Sequence, residues 1–159
     1  MQTLMAGPLA HDLDIGLATK DHLAAELSRL AEGRISTDEA VRLWLSVFSP
    51  NLKLWGLLEL LSRSYRLAAF SNNPPFVRQS LPTGTSISTV ILSSEIGSLK
   101  PDPASFAAAQ TLLQVAGDEI LFIDDVFTNV ITARGQGWSA WHYRSPEALL
   151  SELRRCKLL

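Results

Sequence analysis

The sequence predicts an α/β protein: a Rossmann-like parallel sheet with helices on both faces. Three observations carry this. From about residue 66 onward, short uncharged runs alternate with helical segments, an order that implies right-handed crossovers between parallel strands. Polar clusters follow successive runs at their carboxyl ends, where open α/β sheets place their chemistry. The clearest run, Ile120-Leu121-Phe122-Ile123, is apolar throughout, as a strand covered on both faces must be, and leads straight into Asp124-Asp125.

Residues 1–18 carry the weakest pattern. Thr3-Leu4-Met5-Ala6 predicts a short strand, stopped by Gly7-Pro8. From about Asp21 to Glu32, Leu23, Leu27 and Leu30 recur at helical spacing, and Gly33 closes the segment. Ser36-Thr37-Asp38-Glu39 has the form of a capping box and opens a second helix with Val41, Leu45 and Phe48 on one face. Ser49-Pro50 reads as the N-cap and first residue of a third, running to about Arg63. A strand then spans Arg66 to Phe70, and Ser71-Asn72-Asn73-Pro74-Pro75 is a polar turn opening a helical turn through Val77 and Gln79. Thr89 to Leu92 is the next strand. Asp102 caps and Pro103 starts a helix through Val115, ended by Gly117. After Ile120–Ile123 come a helix from about Phe127 to Arg134, a strand from Ser139 to Tyr143, and a last helix, capped by Ser145-Pro146-Glu147, to about Arg155.

Bulk composition narrows the function classes. A chain of 159 residues, 47% hydrophobic and 19% charged, has the make-up of one soluble globular domain. A net charge of −2 supplies no basic footprint, so nucleic acid is not expected as a partner. The run Trp55–Leu61 is short and carries Glu59, so no membrane span is expected, and the N-terminus lacks an export pattern. One cysteine, Cys156, fits a reducing, cytoplasmic setting.

The acidic pair admits two readings. Asp124 and Asp125 at the mouth of a sheet suit a hard cation such as Mg²⁺, because adjacent carboxylates repel unless something cationic sits between them; either could instead cap the helix that begins near Val126. Ser71-Asn72 and Lys100 fall at the ends of earlier strands. A hydroxyl, an amide, a fixed ammonium and a carboxylate pair are the parts needed to hold a phosphoryl group beside Mg²⁺.

In order and spacing, Phe70-Ser71-Asn72, Leu99-Lys100-Pro101-Asp102 and Phe122-Ile123-Asp124-Asp125 resemble the second, third and fourth motifs of the haloacid dehalogenase (HAD) superfamily, and Asn129 and Gly137-Trp138 suit the elements that follow. Glu32-Gly33-Arg34-Ile35-Ser36-Thr37-Asp38-Glu39 is similar to the turn joining two helices of that superfamily's small caps. The resemblance divides the chain into a degenerate N-terminal segment (1–18), a helical cap with its return helix (19–63) and an α/β core (64–159). It implies a Mg²⁺-dependent hydrolase of small phosphorylated metabolites, in which Ser71, with Asn72, contacts the phosphoryl group, Lys100 offsets its charge, and Asp124 ligates Mg²⁺ with Asp125 in support.

The superfamily's first motif, a strand ending in Asp-x-Asp whose first Asp attacks phosphorus, has no clear match. Asp12-Leu13-Asp14 has the spacing, but Leu9-Ala10-His11 is too short and too near Pro8 for a central strand. The alternative aligns Ala6-Gly7-Pro8-Leu9 with the tail that follows the nucleophile, which puts Leu4 or Met5 in its place. In the superfamily that strand lies between the ones read here at 66–70 and 120–123. Its loss would leave two edges with unpaired N–H and C=O groups. Residues 2–6 could supply a degenerate strand, the two neighbours could pair directly, or a second copy of the chain could lend an edge. Two function classes follow: a HAD-type phosphohydrolase, or a catalytically inactive relative that keeps the fold for binding or assembly.

Overall fold

The computed structural model describes residues 7–49, 51–81, 84 and 86–159. The expected strand at Thr3–Ala6 lies outside them, as does Pro50. The first described element is a helix the sequence reading missed: α1 (Pro8–Asp14), with Gly7 at its N-cap and Pro8 at its first position. A proline there has no N–H to lose, so Gly-Pro starts a helix here as well as ending a strand. Then come α2 (Lys20–Leu30) and α3 (Thr37–Leu45), the latter opened by the expected capping box: Ser36 Oγ accepts from the Glu39 amide and Glu39 accepts from the Ser36 amide. The third helix begins later than expected. It is α4 (Leu52–Leu61), and its cap is Asn51, whose Oδ1 accepts from Leu54 N, rather than Ser49.

The α/β part follows in the expected order: β1 (Leu67–Ser71), a 3₁₀ turn (Pro75–Ser80), β2 (Ile87–Leu92), the short α5 (Ser93–Ile96), α6 (Pro103–Leu113), β3 (Leu121–Asp124), α7 (Phe127–Gly135), β4 (Ser139–His142) and α8 (Pro146–Arg155). Two of the candidate residues are thus the last of their strands: Ser71 ends β1 and Asp124 ends β3. Helix α6 stops at Gln114, in the left-handed region at φ 56°, three residues before the glycine expected to end it.

All pairing is parallel. β1 pairs with β2, from Ala68 against Thr89 to Ser71 against Leu92, and β3 pairs with β4, from Leu121 against Ser139 to Asp124 against His142. Among the described residues β1 and β3 do not pair, so the direct-pairing alternative is not what the chain does; the strands form two ladders rather than one. Alternation along β3 and β4 sends side chains to two cores. Phe122 and Ala140 join Ile91, Phe106, Val130 and Trp138 on one face, where the Phe106 ring meets those of Phe70, Phe122 and Trp138 edge to face at 5.3–5.5 Å. Ile123 and Trp141 pack on Leu57 and Leu61 of α4 and Leu149 and Leu153 of α8. This puts α6 and α7 on one side and α4 and α8 on the other.

A third core holds the helical part together. Leu13 of α1, Leu23 of α2 and Trp44 of α3 close on Phe76, in the 3₁₀ turn that follows the carboxyl end of β1. Among the described residues no helix is long and apolar enough to cross a membrane.

Candidate functional site

Lys100 is the centre of the constellation. Its ammonium donates to the Phe70 carbonyl and to Asp124 Oδ2, each at 2.7 Å, and lies 4.9 Å and 5.3 Å from the ring centroids of Phe70 and Phe122. The two side chains are only 8% and 7% exposed, so this lysine is not the solvated residue that most lysines are. A buried pair is tolerable only when its remaining polar atoms are satisfied. Asp124 meets the condition: its Oδ1 accepts from Val126 N at 2.8 Å and from Asn129 Nδ2 at 3.0 Å. The bond to Val126 N is a turn bond of the kind the capping alternative foresaw, although Val126, not Asp124, occupies the N-cap of α7. One oxygen shapes the turn, and the other holds Lys100.

Asn72 serves the loop that carries Lys100. Its Nδ2 donates to Lys100 O at 2.8 Å and its Oδ1 accepts from Lys100 N at 2.9 Å, so both ends of the amide are engaged by one residue's backbone. This side chain, read from the sequence as a phosphate contact, acts here as the bracket that positions the ammonium. The Ser71 hydroxyl accepts from Asn73 Nδ2 at 2.7 Å, which leaves its proton free to donate. Asn73 N in turn donates to Ser93 Oγ, and that hydroxyl donates to Asp14 O at 2.5 Å. Ser93 is fully buried and was not singled out in the sequence; only its position directly after a strand pointed to it. It ties the end of α1 to the loop holding Ser71.

Asp125 is exposed beside Asp124, and its backbone carbonyl lies 3.0 Å from His142 Nε2. Asp124 and Asp125 are the carboxylates at the β3 end, and Asn129 Oδ1 is a buried oxygen with no hydrogen-bond partner among the described residues. This all-oxygen set suits a hard cation that keeps most of its waters. No cluster of three or more His, Cys, Asp or Glu able to hold a metal occurs among the described residues. A cation here would rest on one or two carboxylates.

Asp12 and Asp14 sit on α1 rather than at a strand end, and neither side chain hydrogen-bonds to Ser71, Lys100 or Asp124. Burial pushes the Asp14 carboxyl up to about 6, with His11 pulling the other way. A carboxyl raised in the folded state destabilises the fold as it ionises: the penalty is absent below about pH 4, where both states are protonated, and complete above about pH 6. Asp14→Asn should therefore raise the thermal midpoint at pH 7 and leave it unchanged near pH 3.5. Because the group is partly solvated, we expect about 1 kcal/mol, or roughly 2–4 °C. Equal midpoints for the two proteins across that pH range would refute the assignment.

No protein-family model matches the chain, and no curated protein matches it. Solved structures do. A predicted HAD-like family hydrolase from Porphyromonas gingivalis superposes with a TM-score of 0.78 at 25% identity, over 96% of this chain and 80% of that one. A HAD family enzyme from Bacteroides thetaiotaomicron, in complex with magnesium and inorganic phosphate, gives 0.75 at 22% identity over 88% and 76%. A 2-haloacid dehalogenase from Pseudomonas syringae pv. Tomato gives 0.57 at 21% identity over 89% and 71%. The chain has the fold of HAD-superfamily hydrolases, and the resemblance read from three short motifs extends to nearly the whole described structure.

Proposed function

We propose that this chain binds the phosphoryl group of a small phosphorylated metabolite, together with Mg²⁺, at the carboxyl ends of β1 and β3, as a HAD-type phosphohydrolase whose hydrolytic step is impaired. The observation that carries this reading is the Lys100 ammonium, desolvated and locked between the two strand ends by Phe70 O and Asp124. A cation fixed at the mouth of a sheet, flanked by a hydroxyl with a proton to give, is an anion site prepared before the ligand arrives. The magnesium and inorganic phosphate held by the Bacteroides enzyme of the same fold support the choice of ligands.

The chain's own residues have separable roles. Ser71 Oγ donates to a phosphoryl oxygen while Asn73 holds it from behind. Lys100 offsets phosphate charge, and Asn72 keeps its loop in register. Asp124 and Asp125 would hold Mg²⁺, which when bound supplies charge neutralisation and polarisation of the phosphoryl oxygens. In this reading each of these groups binds or positions, and none is assigned the attack on phosphorus. Among the described residues the Lys100 ammonium has Asp124 as its one carboxylate partner, which favours binding without turnover as the second reading.

Calorimetric titration of Mg²⁺, with and without inorganic phosphate, tests the proposal. Mg²⁺ should bind weakly to the unsubstituted protein, in the millimolar range expected of about two protein carboxylates, and more tightly with phosphate present. Asp125→Asn should weaken Mg²⁺ and Ser71→Ala should weaken phosphate, each by about tenfold, as loss of one charge-assisted contact implies. Unchanged binding in both variants would remove the site.

A further inference from the structure

We propose that the notch along the outer edge of β4, between α7 and α8, is a second ligand site, and that it takes a small flat ring carrying an oxyanion, either a carboxylate or a phosphoryl group. The cavity there measures about 450 Å³, a size in the range of small-molecule sites. Ser71, Asn72, Lys100 and Asp124 are not among its lining residues, so it is separate from the site at the ends of β1 and β3. The inference does not depend on phosphate or Mg²⁺ binding there.

The anion is indicated by how the strand edge is covered. Among the described residues β4 is the outer strand of its ladder. Ser139 N and Tyr143 N donate to Ile120 O and Asp124 O of the β3 side, so alternation turns the backbone groups of Ala140 and His142 outward. Arg134 covers this edge: its Nε and Nη2 both donate to Ala140 O, at 3.0 Å and 2.6 Å. A carbonyl already taken cannot serve an added strand, which argues against an extended peptide as the occupant. Two of the five guanidinium N–H groups are used in this way, and three are left without a partner among the described residues, on a group already fixed in place. Arg144 is exposed on the same cavity, and neither arginine pairs with a carboxylate among the described residues. The carboxylate in the lining, Glu152, has both oxygens on Arg155. The notch therefore offers two guanidinium groups that no acid neutralises, and such groups hold the oxygens of a carboxylate or phosphoryl group in pairs.

The ring is indicated by the walls. Phe127 enters from α7, 55% exposed and edge-on to the His142 ring at 5.5 Å. Trp141 and Tyr143 enter from the other face of the strand, backed by Leu149 of α8. A flat ligand laid on these rings removes apolar surface from water and adds aromatic contact. An inorganic anion would leave the walls wet. A neutral ring would leave the guanidinium groups unpaired, so both features belong to one ligand.

Benzoate and phenylphosphonate are the probes, titrated into the full chain by calorimetry at constant ionic strength and followed by amide NMR shifts. We expect at least one of them to bind, with shifts centred on Phe127, Tyr143 and Arg144; the better bound of the two identifies the oxyanion. Acetate, a charge without a ring, and benzyl alcohol, a ring without a charge, should each bind about tenfold more weakly. Arg144→Ala and Phe127→Ala alter exposed side chains, so the fold survives them, and each should weaken the aromatic anion about tenfold. Ser71→Ala should bind the probes as the unsubstituted protein does; weaker binding in that variant would place the probe at the end of β1 and overturn the assignment. Binding of neither probe, acetate bound as tightly as benzoate, or Arg144→Ala without effect would overturn it as well.

Discussion

Lys100→Met should destabilise the fold by roughly 3–5 kcal/mol, the cost of removing one partner of a buried ion pair and leaving the other uncompensated. The Lys100 and Asp124 side chains are almost wholly covered, so water cannot replace the lost ammonium without opening the core around Phe70 and Phe122. Asp124 Oδ2 and Phe70 O would lose their donor together. Urea denaturation measures the loss. The double variant Lys100→Met with Asp124→Asn should recover a large part of it, because the buried charge is then gone as well. A loss under 1 kcal/mol for Lys100→Met would mean that the pair is solvated in solution. Thermodynamic coupling near zero between the two positions would mean the same.

Hydrolysis of a generic aryl phosphate with Mg²⁺ should be roughly four to six orders of magnitude below that of an enzyme with its nucleophile in place, as loss of a catalytic residue that acts as part of a unit typically is. In the proposed function Ser71, Lys100 and Asp124 bind and polarise a phosphoryl group, but covalent catalysis divides one hard step into two only when an attacking atom is in line. Asp12 and Asp14 belong to α1, and their side chains do not engage the Lys100 site. Asp12→Asn and Asp14→Asn should therefore leave the residual rate where it is. Robust turnover abolished by either substitution would show that the helix carries the working carboxylate.

Much of this protein is legible from local pattern, and the reasons are local. A capping box closes within four residues, so Ser36 to Glu39 announces α3 without help from elsewhere. Proline at a first helical position marks α6 and α8 for the same reason. The apolar run before Asp124 specifies a strand buried on both faces, and Ile123 and Phe122 duly enter different cores. Errors fell where two local meanings compete. Gly7-Pro8 ends a strand or begins a helix with equal ease, and Ser49-Pro50 and Asn51 are both chemically sound starts for α4.

Residue types alone determine that Ser71, Asn72, Lys100, Asp124 and Asp125 stand at strand ends or in the loops that follow, because alternating strands and helices place every second connection on one edge of a sheet. Tertiary structure decides what each then does. Asn72 and Lys100 are 28 residues apart in the chain, yet both ends of the Asn72 amide engage the backbone of Lys100, so it brackets the loop that carries the ammonium. Lys100 becomes a buried pair only because β1 and β3 bring Phe70 O and Asp124 to either side of it. That β1 and β3 do not pair with each other among the described residues is likewise not set by composition or period, since strand partners are chosen by contacts distant in sequence, and no short window contains both edges.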